Sequence, residues 1–210
     1  MRGFLRTLPG LVVCGGVSLS REVRDMWRLD LATLRWEPMP ALVATRSTHA
    51  CCAVRGTLVV LGGRTPGAGE GRLSSEVEML SSGAFVDLPP LSRGGIYGAA
   101  AIEVDESDSA AGQVLLLGGA DANIRLSTVY LVDLATGAGA RQPDLLHSRV
   151  YHAAARLPDK RIICAGGFDG AAFLSSAEVW GPPVQGGRMQ HGPGQSSPRC
   201  LLTVTAAADA

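Results

Sequence analysis

The chain is nearly without lysine: of 19 basic residues only Lys160 is not arginine. It also lacks net charge, because 19 acidic residues balance the 19 basic ones. That balance argues against a broad surface for nucleic acid or an anionic membrane, both of which draw on excess positive charge. Aromatic residues are scarce, with three tryptophans, three tyrosines and four phenylalanines in 210 residues. No apolar run approaches the roughly 18 residues that a membrane-spanning helix needs. Long segments with a 3.6-residue apolar period are missing, so helices are expected to be few. Signatures of chemistry are missing too: no G-x-S-x-G elbow, paired C-x-x-C or H-E-x-x-H occurs. Neither a serine nucleophile nor a zinc centre is indicated. We expect no catalytic residue, no metal and no cofactor.

Cysteine is present but unorganised. Cys14, Cys51, Cys52, Cys164 and Cys200 form an odd set without the spacing of a disulfide framework. Cys14, Cys52 and Cys164 sit in or beside apolar runs, which suits buried thiols in a reducing compartment. The opening "MRGFLRTLPGLVV" resembles a signal peptide, but Pro9 and Gly10 break its apolar part. Its end reads better as a repeat element, and a cytoplasmic location is expected.

What the chain does have is a recurring apolar run that stops on two glycines. It occurs as "LVVCGG", "LVVLGG", "VLLLGG" and "IICAGG", ending in Gly15–Gly16, Gly62–Gly63, Gly118–Gly119 and Gly166–Gly167. The second glycines are 47, 56 and 48 residues apart. An arginine follows the pair by 30 residues three times, as Arg46, Arg93 and Arg149, and by 32 at Arg199. The longest spacing carries the polar stretch "EVDESDSAAG", which reads as a tolerated loop insertion. Each unit then runs through a small-residue segment, the apolar run, a polar loop, a further strand-like segment and a turn. About four strand-length pieces at a period near fifty is the pattern of a propeller blade.

An apolar run of this kind fits a strand with neighbours on both faces, and the glycines permit unusual φ values and close approach. "GGRTPGAGEGR" is glycine-rich after a strand, yet no helix is expected to follow and the Walker lysine is absent. A phosphate loop is therefore disfavoured.

The glycine pair, followed by an aromatic-bearing strand and a tryptophan, resembles the Kelch-repeat family. "MWRLDLATLRW" fits best, with Trp27 and Trp36; Tyr130 and Trp180 are the corresponding aromatics of later units. The resemblance covers roughly residues 10–180. It implies an all-β, Kelch-type β-propeller of about four four-stranded blades in one domain, 1–210. The units are about 10–46, 47–93, 94–149 and 150–199, with a divergent Gly/Pro-rich segment at 181–198. "RCLLTVTAAADA" looks like an innermost strand. It would complete the first blade, or else the chain is a fragment of a larger ring.

Two ends of the propeller follow from this layout. One carries the loops at 17–24, 64–74, 120–126 and 168–174, with Arg64, Arg72, Arg125 and the repeat arginines Arg46, Arg93, Arg149 and Arg199. Arginine grips carboxylates bidentately, so this end is expected to bind a protein partner, an acidic peptide segment. The family's common use of this end implies the same. An arginine fixed in a repeat also suits bracing loops through backbone carbonyls, and the residue types leave both roles open. His49 and His152 share one repeat position and read as packed inner-strand residues, since a zinc site needs four converging ligands. Some Kelch-like propellers are enzymes, a copper radical oxidase and a sialic acid mutarotase among them. The oxidase's ligand set is not apparent here. A mutarotase-like, sugar-binding propeller is therefore the alternative to a non-catalytic interaction module. A ligase-adaptor or larger multidomain context would need segments outside this chain.

Overall fold

The computed structural model describes residues 10–67, 71–104, 109–181 and 190–191, and within them the backbone is strand and turn without helix. No helix long and apolar enough to cross a membrane is therefore present among them.

The first unit holds β1 (Gly10–Cys14), the short hairpin β2 (Val17–Ser18) and β3 (Arg21–Glu22), β4 (Met26–Asp30) and β5 (Arg35–Met39). The second holds β6 (Ala50–Val54), β7 (Thr57–Leu61), the hairpin β8 (Arg64–Thr65) and β9 (Arg72–Leu73), β10 (Val77–Ser81) and β11 (Ala84–Leu88). The third is β12 (Ala100–Val104), β13 (Gln113–Leu117), β14 (Val129–Asp133) and β15 (Gly139–Gln142). The fourth is β16 (Ala153–Arg156), β17 (Ile162–Ala165), β18 (Ala177–Trp180) and β19 (Gln190–His191).

Each unit makes one antiparallel sheet. The orders are β1-β4-β5, β6-β7-β10-β11, β12-β13-β14-β15 and β16-β17-β18-β19. The glycine-terminated runs are the second strands of the last three sheets, and β1 occupies the same place beside β4 in the first. Among the described residues the first sheet therefore has three strands and no inner one. Residues 199–210, expected to supply it, lie outside the described residues.

The sheets stack face to face. Along β7, Leu58 and Val60 pack with Met26, Met39 and Leu42 of the first unit, whereas Val59 and Leu61 pack with Ala101, Val114 and Leu116 of the third. Along β13, Leu115 and Leu117 turn instead to Ile162, Cys164 and Trp180 of the fourth. This is why these strands are apolar at four consecutive positions after a polar first residue: period-2 alternation sends side chains to both faces, and both are covered. Each fully buried Leu or Val contributes about 1.5–3 kcal/mol of hydrophobic stabilisation. The inner strand β12 lies between β6 and β16, as neighbouring blades around a common axis do. Two backbone bonds tie these inner ends together, Gly98 N to Thr48 O at 2.7 Å and Tyr151 N to Gly98 O at 2.9 Å.

Turn chemistry explains the short connections. β6–β7 turns on Arg55 and Gly56 (φ 51° and 75°), and β10–β11 on Ser82 and Gly83 (φ 51° and 89°). Two consecutive positive φ values match the right-handed twist of the strands they join.

Candidate partner-binding end

The loops between second and third strands all rise at one end of the sheets. They form the hairpins β2–β3 and β8–β9 and the bridges Ala120↔Arg125 and Phe168↔Phe173. "GGRTPGAGEGR" thus runs into a hairpin and not into a phosphate-binding helix. Asp121 accepts from the amides of Asn123 (2.8 Å) and Ile124 (3.0 Å), and Asp169 from those of Ala171 and Ala172 (both 2.7 Å). These amides hold both carboxyls below the usual carboxylate range.

The repeat arginines separate into different roles. Arg46 and Arg149 have no exposed surface. Arg46 bonds the carbonyls of Gly62 (2.8 Å) and Glu76 (3.3 Å) and pairs with the buried Glu78. Arg149 bonds the carbonyls of Gly166 (2.7 Å) and Ser176 (3.0 Å) and pairs with the buried Glu178 at 2.6 Å. Each glutamate also accepts from the incoming connection: Glu78 from Val43 N at 2.7 Å and Ala44 N at 3.2 Å, Glu178 from Leu146 N. The pair thus clamps the chain that enters a sheet onto that sheet's own second and third strands. Of the two roles open to these arginines, Arg46 and Arg149 take the bracing one, and their burial keeps them from a partner at the surface.

Arg93 does not occupy the same place, although its spacing from the glycines is the same. The amide of the second glycine bonds the carbonyl of Arg46 at Gly16, of Ile96 at Gly63 and of Arg149 at Gly119. Ile96 is therefore the structural counterpart of Arg46 and Arg149. The second unit is two residues longer between Gly63 and Leu91, and the connection from Leu91 to Ile96 is one longer than those from Leu42 and Leu145, so the counterpart falls three residues after Arg93. In this third unit the clamp is apolar: Ile96 replaces arginine, Tyr130 the glutamate and Ala99 the histidine. Arg93 instead lies half-buried over the Tyr130 ring at 5.1 Å, and burial pulls its guanidinium below the ordinary value. Sequence reading missed Glu78 and Glu178. The available signal was an acid at the second position of an otherwise apolar third strand, in "VEMLS" and "AEVW".

The remaining predicted arginines face the loops. Arg64 stacks its guanidinium 4.1 Å from the Tyr97 ring, which is 6.0 Å from the Tyr151 ring. Tyr97, Val150 and Ala120 form a small buried cluster with Leu73, Tyr151 and Phe168. Phe168 in turn meets the exposed Phe173 at 5.2 Å. Arg72 is exposed on β9, and Arg125 lies against Gly170 of the next loop. Arg199 lies outside the described residues. Of the predicted aromatics, Trp180 is buried and donates to Pro143 O at 2.8 Å, while Trp27 and Trp36 are half exposed on the uncovered face of the first sheet.

His49 and His152 are packed between glycines. A Cβ at Gly118 would lie 3.0 Å from the His152 ring, and one at Gly167 3.0 Å from its Cβ. Gly15 and Gly63 enclose His49 in the same way. Among the described residues no cluster of His, Cys, Asp and Glu is arranged to hold a metal ion. Burial, and then the adjacent arginine, push both imidazoles down to about 4. Below pH 6.5 the unfolded chain therefore binds protons that the folded chain refuses until about pH 4, so stability falls as pH drops through that window. The loss is about 1.4 kcal/mol per pH unit for each fully buried ring. In urea titrations between pH 7 and 4.5, His152→Asn is expected to flatten the slope relative to the parent; an identical slope would contradict this assignment.

The architecture defines an all-β protein of several small antiparallel sheets in propeller-like arrangement. The comparisons with known proteins agree at that level. The solved structure of YjhT superposes with a TM-score of 0.69 over 93% of this chain and 70% of that one, at 16% sequence identity, a likeness of fold alone. Among curated proteins, Multiple epidermal growth factor-like domains protein 8 of Mus musculus is 27% identical over 191 residues, 81% of this chain. Its counterpart in Rattus norvegicus is 28% identical over 199 residues, 85% of this chain. The chain spans 6% of the length of either relative. No family model matches it.

Proposed function

We propose that this chain is a Kelch-type propeller unit that acts as a non-catalytic interaction module, holding an acidic segment of a protein partner at its hairpin end. The observation that carries the reading is the group Arg64, Tyr97, Tyr151, Phe168 and Phe173, which places a guanidinium on an aromatic ring beside an exposed phenylalanine. Arginine and tyrosine over a packed base are the residue types that dominate binding energy at protein interfaces. The exposed Arg72 and the partly exposed Arg64, Arg125 and Arg93 supply the carboxylate contacts. Arg46 and Arg149 brace the connections beneath.

A sugar-directed, mutarotase-like reading is favoured by one feature, the partly exposed Tyr151 ring beside this group, an aromatic of the kind that stacks on a pyranose face. The two readings part experimentally. The triple variant Arg64→Ala, Arg72→Ala, Arg125→Ala is expected to weaken capture of a fluorescent acidic peptide library about 30-fold, the loss of roughly 2 kcal/mol. Binding by the parent should also fall with added salt. Equal retention by parent and variant at low and high salt would overturn the interaction reading. Acceleration of sugar anomer exchange by the parent chain, followed by NMR, would favour the alternative.

A further inference from the structure

We propose that Cys14 and Cys51 form an oxidisable dithiol that closes into a disulfide under a peroxide and staples the first sheet to the second. The two residues sit on different sheets, Cys14 at the end of β1 and Cys51 on β6. Their side chains share one apolar cluster and a hydrogen bond. The Cys14 sulfur is also 3.2 Å from His49 Nε2. Neither residue is fully buried, so a small oxidant has an approach.

The repeat shows that this contact is a fixed meeting point. Cys14 precedes the first glycine pair, as Leu61 and Leu117 precede the second and third. Cys51 lies two residues after His49, as Ala101 lies two after Ala99 and Ala154 two after His152. Leu61 and Ala101 share the cluster between the second and third sheets, and Leu117 and Ala154 that between the third and fourth. At each of these interfaces a large and a small apolar side chain meet. Between the first and second sheets alone, two thiols take their places.

The hydrogen bond between them lowers the Cys51 thiol and raises that of Cys14. The two share one ionisation, so the products are the same whichever sulfur attacks first; Cys51 is taken as the attacking thiolate. Its sulfur bonds one peroxide oxygen, the O–O bond breaks, and the leaving hydroxide departs as water, giving a sulfenic acid. The Cys14 sulfur then attacks that of Cys51, the S–O bond breaks, and the departing hydroxide takes the Cys14 proton and leaves as a second water. Two thiols and one peroxide become one disulfide and two waters.

Cys52 and Cys164 provide internal references. Cys52 points to the opposite face of β6, where burial holds its thiol well above the ordinary value, and burial pushes Cys164 up to about 12. The full chain would be treated with hydrogen peroxide, alkylated with iodoacetamide, digested without reductant and mapped by mass spectrometry. The expected product is a Cys14–Cys51 cross-linked peptide two hydrogens lighter than the separate thiols and reversed by dithiothreitol. Cys52 and Cys164 should be alkylated only after denaturation. The thermal midpoint should rise by several degrees on oxidation. The double variant Cys14→Leu, Cys51→Ala copies the other interfaces, so it should fold and melt identically with and without peroxide. A Cys51–Cys52 or Cys14–Cys200 link, or two unlinked thiols at a peroxide dose that fully oxidises added glutathione, would overturn the proposal.

Discussion

Replacing Arg149 by isoleucine costs about 3–5 kcal/mol of folding stability, because it leaves Glu178 buried without its cation. Both members of the pair have side chains with no exposed surface, so water cannot restore the lost interaction. The third unit shows how the same position is built without charge, with Ile96, Ala99 and Tyr130 in place of Arg149, His152 and Glu178. Transplanting that set as Arg149→Ile, His152→Ala, Glu178→Tyr should therefore recover part of the loss. Recovery is incomplete for a nameable reason. Leu146 N donates to Glu178 in a part-buried bond, and the tyrosine removes that acceptor, at a cost of about 1 kcal/mol. Urea unfolding of the parent, the single variant and the triple variant should rank them in the order parent, triple, single. A triple variant less stable than Arg149→Ile alone would show that the apolar clamp depends on the longer connection before Ile96 and is not portable.

The same clamp marks how far the sequence could be read. The all-β class, the order of strands within each unit and the burial of the runs in β7 and β13 were legible because they rest on local signals; the run in β1 ends on the same glycine pair, yet Val13 is exposed. A strand segment covered on both faces must be apolar at consecutive positions, as Leu58–Leu61 and Val114–Leu117 are. The two ends were also legible, since strand order alone sends the loops after Gly16, Gly63, Gly119 and Gly167 to the side where Arg46 and Arg149 enter. The role of individual arginines was not. Arg46, Arg93 and Arg149 stand at equal spacing from a glycine, yet three extra residues, two before Leu91 and one between Leu91 and Ile96, put Ile96 in the clamp and leave Arg93 outside it. Spacing along the chain records loop length, whereas a side chain's role depends on which backbone carbonyl it meets. Glu78 and Glu178 escaped notice because a glutamate in an apolar strand is unremarkable until the arginine about thirty positions earlier is brought beside it. The Arg64–Tyr97 stack was hidden for the same reason, since its members belong to loops of different units.

Alanine at Gly62 separates the two demands made on the glycine pair. Its φ is +63°, a conformation alanine adopts at a cost of about 1–2 kcal/mol. Gly83 makes the same backbone demand at φ +89°, but a Cβ there meets nothing within 4 Å, so Gly83→Ala should lose only that amount. At Gly62 the added Cβ would lie 2.5 Å from the Ile96 carbonyl oxygen and 3.0 Å from Ile96 Cγ2. That carbonyl cannot retreat cheaply, because it accepts the Gly63 amide at 2.7 Å and belongs to the connection that enters the third sheet. Overpacking against fixed backbone adds about 1–3 kcal/mol, so Gly62→Ala should destabilise by roughly 2–5 kcal/mol in all. The excess over Gly83→Ala measures how tightly adjacent sheets are pressed together at the glycines. Equal losses in urea midpoint at the two positions would mean that backbone conformation alone selects glycine there. Close approach between units would then have no part in explaining why each apolar strand ends on a pair.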